Sequence, residues 1–146
     1  EPAAPGQADI DRPLSPQGLA EAEAAGRWLA AHGLVPDCVL CSPARRTRET
    51  LEAVLAVTGY VEQRLEEAIY EATPGTLIGL LQAHPDVERL LLVGHNPGME
   101  RLVALLHSGQ SGEYRGMPTA AVAVLSLPGT EAIEPGVGRL TAFWWP

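Results

Sequence analysis

Apolar residues fall into two patterns along this chain: stripes at helical spacing and short unbroken runs. Leu19, Ala22, Gly26 and Leu29 recur with a period near 3.6 after Ser15-Pro16, a cap residue followed by a first-turn proline. Gly33 stops this first helix. Cys38 to Cys41 is a four-residue apolar run of strand type. It leads into Ser42-Pro43, read as a second cap pair, and a helix whose buried stripe is Leu51, Val54 and Leu55. Residues 59–74 carry no such pattern and read as loop. Pro74-Gly75-Thr76 opens a third helix with Leu77, Leu80 and Leu81 on one face. Leu90 to Val93 reads as a second buried strand, running into Gly94-His95-Asn96-Pro97. Met99, Leu102, Val103 and Leu106 mark a fourth helix. An exposed polar loop is expected over 108–118, and further strands over Ala121 to Leu127 and Leu140 to Trp145.

Strands alternating with helices predict an α/β domain of three layers, a largely parallel sheet flanked by helices. Its 146 residues suit one domain with a real core. Hydrophobic residues make up 46% and charged residues 19%, which argues against disorder. The apolar runs fall far short of the roughly 20 residues a membrane-spanning helix needs, so no membrane association is expected. A net charge of −8 argues against general nucleic-acid binding. All ten basic residues are arginine, which excludes Schiff-base and P-loop lysine chemistry. The two cysteines, Cys38 and Cys41, point to opposite faces of a strand and read as small buried hydrophobes. With no disulfide and no targeting signal, a cytoplasmic location is expected.

Two strand-to-helix junctions carry the candidate chemistry: Ser42-Pro43-Ala44-Arg45-Arg46-Thr47-Arg48 and Gly94-His95-Asn96-Pro97. Both place polar groups just past the carboxyl end of a strand, where open α/β sheets bind ligands. Both offer backbone N–H groups at a helix start. Arginine and histidine together there suit a phosphate or a carboxylate. Arg45 and Arg48 could equally form a solvated face, paired with Glu49 and Glu52.

These residues resemble the histidine phosphatase superfamily. Ser42-Pro43-x-x-Arg46-x-x-x-Thr50 is similar to its second-arginine motif, and Val93-Gly94-His95-Asn96-Pro97 to its second-histidine motif. Pro13-Leu14-Ser15-Pro16-Gln17-Gly18 is similar to its helix start, and Pro118-Thr119-Ala120-Ala121 completes the order. Leu65 to Tyr70 matches the region where many members carry an acidic glutamate, here Glu67. The short chain leaves no room for a large cap and looks most like the small phosphohistidine phosphatases.

The resemblance implies a phosphatase working through a covalent phosphohistidine, without metal or cofactor. Arg46 and His95 would stabilise the phosphoryl charge, and Glu67 would supply a proton. Asn96, Ser42 and Arg45 would line the substrate site. The substrate would be a phosphorylated protein or a small phosphate ester. The family's nucleophile lies in an Arg-His-Gly or Arg-His-Ala tripeptide at the end of a first strand, and none of His32, His84, His95 and His107 follows an arginine. Three explanations stand: the segment is omitted here or cleaved away, another chain supplies it, or the chain is a non-catalytic phosphate-binding relative. Omission is the expected one, because a sheet without that strand would leave two facing edges open.

Overall fold

The computed structural model describes residues 8–108, 117–118, 120–127 and 133–146. A 3₁₀ turn at Asp9–Asp11 precedes helix α1 (Pro16–Ala31), strand β1 (Cys38–Cys41) and helix α2 (Arg45–Thr58). Strand β2 (Glu62–Leu65) and a second 3₁₀ turn (Glu67–Ile69) lead to helix α3 (Pro74–Gln82). Strand β3 (Leu90–Val93), helix α4 (Gly98–Ser108) and strands β4 (Val122–Ser126) and β5 (Arg139–Trp144) complete the order. The expected loop over 108–118 lies mostly outside the described residues, as does Thr119 of the Pro118–Ala121 motif.

Three strands form a parallel sheet in the order β2-β1-β3, and β4 and β5 pair antiparallel in a second, two-stranded sheet. Alternation along β1 and β3 decides the layers. Leu40, Leu90 and Leu92 face Leu77 of α3 and Leu102 and Leu106 of α4. Val39, Cys41, Leu91 and Val93 face Leu51 and Leu55 of α2. Helix α1 joins the α2 side through Ala25, Leu29 and Val54. The result is the expected three-layer α/β arrangement, with β1 wholly buried at its centre. Cys38 and Cys41 are buried, unbridged hydrophobes, as their pattern implied. Burial pushes the Cys41 thiol up to about 11, so it stays protonated and inert.

Helices α1 and α3 start at side-chain caps, α2 does not, and α4 begins at Gly98, past the expected Asn96-Pro97 cap pair. Ser15 Oγ accepts the Gly18 N–H at 3.0 Å, and Thr73 caps α3. Ser42 does not cap α2; the helix begins at Arg45 after Ala44. The Ser42 side chain is fully buried and turned toward His95, with the Ala44 N–H on its hydroxyl at 3.3 Å. Thr47 takes over the tightening of this turn, donating to the carbonyls of Ser42 and Ala44.

Two strand expectations need correction. The stretch 59–74 contains β2, whose Glu-Gln-Arg-Leu sequence has no apolar alternation because the strand is an exposed edge. β3 is half-buried rather than buried. Among the described residues it pairs only with β1, and β4 pairs only with β5. The free edges of β3 and β4 border an apolar groove of about 490 Å³, lined on one side by Leu91 and Val93 and on the other by Val122 and Leu125.

Trp28 of α1 stacks on Trp144 of β5, ring centres 5.9 Å apart, and on His32 at 4.4 Å. These two tryptophans are packing residues, whereas Trp145 is exposed.

Helices α1 and α2 approach closely at Gly26. A Cβ there would sit 3.1 Å from both the Cα and the carbonyl oxygen of Val54. Gly26→Val should therefore destabilise the fold by about 1–3 kcal/mol through overpacking against backbone that cannot yield. Urea unfolding measures this, and an unchanged midpoint would contradict the close approach.

Candidate active site

The parallel register of β1 and β3 pairs Cys41 with Val93, and the Ser42 N–H extends the ladder to the Val93 carbonyl at 3.0 Å. The two strand-to-helix junctions therefore leave the sheet side by side. Ser42 and His95 meet first: His95 Nε2 lies 2.7 Å from Ser42 Oγ. Arg46, the second residue of α2, reaches His95 Nδ1 at 3.3 Å. A guanidinium can only donate, so Nδ1 accepts and the ring proton sits on Nε2, donated to Ser42. Burial and the adjacent Arg46 charge hold His95 at about 4, well below its ordinary 6.5. The imidazole is neutral at pH 7.

Gly98 seats the His95 junction. A Cβ at this position would come within 2.7 Å of the Ala72 carbonyl oxygen, so only glycine lets α4 start so close to the turn after Ile69. That contact brings Tyr70 against His95, ring centres 5.3 Å apart and edge to face.

The arginines converge on one carboxylate. Arg46 NH2 lies 3.2 Å from Asp9 Oδ2, and Arg46 NH1 donates to the Asp9 carbonyl at 2.9 Å. Arg12 NH2 lies 3.2 Å from Asp9 Oδ1, and the Tyr70 hydroxyl donates to Oδ2 at 2.5 Å. The Tyr70 bond, with Arg46 and Arg12, holds the Asp9 carboxyl below its usual range. Nearby, the Leu14 N–H donates to Glu49 Oε1 at 2.7 Å and pins this N-terminal segment to α2.

The sequence-predicted residues divide accordingly. Arg46, His95 and Ser42 are brought together. Asn96 lies beside them, its side chain bridging the Met117 carbonyl at 2.6 Å and the Glu100 N–H at 3.2 Å. Arg45 turns away to Glu49 at 3.4 Å, as its solvated reading allowed. Glu67 is exposed in the turn that carries Tyr70, and no hydrogen bond or ion pair joins it to Arg46 or His95. Asp9, Arg12 and Tyr70 escaped the sequence reading. Asp9 and Arg12 precede any periodic element, and Tyr70 was only the tail of a motif read for its glutamate.

Two basic side chains, a neutral imidazole and two hydroxyls around a strand end are donors of the kind an oxyanion takes. The model of the histidine phosphatase superfamily (branch 1) matches residues 3–88. The chain belongs to this superfamily. It is 40% identical over 151 residues to an uncharacterised protein of Mycobacterium tuberculosis (strain H37Rv), covering 97% of this chain and 93% of that protein. It is similar to the structure of a proposed phosphohistidine phosphatase SixA from Agrobacterium tumefaciens, with a TM-score of 0.85 and 32% identity. That match covers 100% of this chain and 91% of the other. The structure of the protein histidine phosphatase SixA complexed with tungstate matches with a TM-score of 0.83 and 27% identity, covering 98% and 90%. The superfamily comprises phosphatases and mutases, so an enzyme is the coarse expectation for this member. The described residues include no helix long and apolar enough to cross a membrane.

The depressed His95 value has a consequence for stability. As pH falls from about 6.5 toward 4, the unfolded imidazole takes up a proton that the folded one refuses. Stability is lost across that window. Urea midpoints at pH 7 and pH 5 should show a loss in the native chain that shrinks in His95→Gln; an equal loss in both would contradict a neutral, shielded His95.

Proposed function

We propose that this superfamily member is a phosphatase that removes a phosphoryl group from the phosphohistidine of a signalling protein or from a small phosphate ester, in the cytoplasm. The observation that carries the reading is the contact of Arg46 with His95 at the strand ends, beside an apolar groove with a strand edge on each side. The likeness to the SixA structures supports the substrate class, and the described residues carry no large cap, which favours an open pocket able to admit a protein side chain.

The nucleophilic histidine is proposed to arrive on a strand that fills the groove between β3 and β4. Backbone pairing on both of its sides would satisfy the two free edges. Entering parallel to β3, its last residues would end level with Val93 and so beside His95 and Arg46. Its imidazole nitrogen attacks phosphorus, and the bond from phosphorus to the leaving group breaks. The leaving group takes a proton, a task proposed for Glu67. Water then cleaves the phosphorus–nitrogen bond and releases inorganic phosphate, restoring the histidine. Arg46 donates to the equatorial phosphoryl oxygens throughout, and the negative charge gathering there favours a donating His95. Asn96 and Ser42 hold the His95 junction in place, and Arg45 is left to the rim. No metal or cofactor enters this scheme.

A phosphohistidine peptide and a small aryl phosphate test the proposal, using this chain joined through a short loop to an apolar strand ending in Arg-His. Turnover is expected, with Arg46→Ala and His95→Ala each lowering kcat by about 10²–10³. Glu67→Gln should slow the ester more than the phosphohistidine, whose leaving group needs less acid help. Phosphate binding without turnover in the joined chain would favour the non-catalytic phosphate-binding relative instead.

A further inference from the structure

Asp9 has no part in this mechanism, yet it gathers Arg12, Arg46 and Tyr70 around one carboxylate. Oδ1 meets Arg12 at 3.2 Å, while Oδ2 meets Arg46 at 3.2 Å and the Tyr70 hydroxyl at 2.5 Å. Two guanidinium groups and a phenol on the two oxygens of one carboxylate are the donor set of a bound oxyanion. The exposures differ in an informative way. The Asp9 side chain is 52% exposed, but Arg46 and Arg12 are only 21% and 17% exposed. The donors are built into the protein and the anion sits at its surface. One donor is also left over. Arg12 Nε is buried and has no hydrogen-bond partner among the described residues, and a two-oxygen carboxylate in this pose does not provide one.

We propose that Asp9 is an internal counter-anion that occupies the phosphoryl pocket, and that substrate enters by displacing it. This rests on the phosphate reading above and adds a gate to it. The turn Asp9–Asp11 buries no side chain, so displacing it opens no part of the core. The Leu14–Glu49 bond, a few residues on, keeps Arg12 at its post when the turn leaves. A tethered carboxylate competes at an effective concentration on the order of millimolar. Simple monoanions such as acetate cannot match that. A tetrahedral dianion can, because it carries more charge and a further oxygen for the unpaired Arg12 Nε. Asp9 therefore selects phosphoryl groups over carboxylates and ties their entry to movement of one turn. Tyr70, released from Asp9, becomes a donor to the incoming oxygens.

Calorimetric titration with inorganic phosphate and with tungstate tests this on the native chain, Asp9→Ala and Asp86→Asn. Asp86 lies in the turn before β3, at the opposite end of that strand, and its variant controls for losing one negative charge. Asp9→Ala should bind both anions about tenfold tighter and gain measurable acetate binding, while Asp86→Asn stays within about twofold of the native chain. Unchanged affinity in Asp9→Ala would overturn the proposal. Weaker affinity would also overturn it and would mark Asp9 as a residue that positions Arg46. If none of the three chains binds either anion, the phosphate reading itself fails, and the gate with it.

Discussion

The register between β1 and β3 is the constraint on which the site depends. Pairing Cys41 with Val93 makes both strands end at the same level. Ser42 and Arg46 then meet His95, which lies 53 and 49 residues further along the sequence. A slip of one residue would turn Val39 and Cys41 toward the wrong helix layer, so the core that holds the sheet also fixes the alignment of the site. Site geometry is in this sense a by-product of burying Leu40 on one face and its neighbours on the other.

Depth at the strand ends then sets the electrostatics. His95 is desolvated and lies against a guanidinium, so it stays neutral. The arginines, in turn, are held where water solvates them poorly and an anion is favoured. Gly98 and Ile69 extend the same logic from the other side of the sheet, by seating the Tyr70 turn against the start of α4.

Much of this was legible in the sequence, for physical reasons. The strands β1 and β3 are unbroken apolar runs, and the helices declare themselves by stripes, by the Ser15 cap and by the first-turn proline Pro74. Arg46 and His95 stood at junctions whose position relative to buried strands follows from topology alone. The edge strand β2 was hidden because a solvated edge needs no apolar pattern. Ser42 was misread as a cap because local sequence cannot show that a histidine fifty residues away will claim its hydroxyl. Asp9, Arg12 and Tyr70 join the site through contacts that cross the fold, and no periodicity announces them. Glu67 was placed by motif spacing, and its exposed position leaves its role to kinetics.

The central claim is that the joined ends of β1 and β3 form an oxyanion site. A crystal of this chain soaked with tungstate addresses it most directly, since anomalous scattering locates the metal atom without reference to activity. The account predicts a tungstate oxygen within hydrogen-bond reach of both Arg46 and His95. Tungstate bound elsewhere, with those two side chains still held by Asp9 and Ser42, would contradict it.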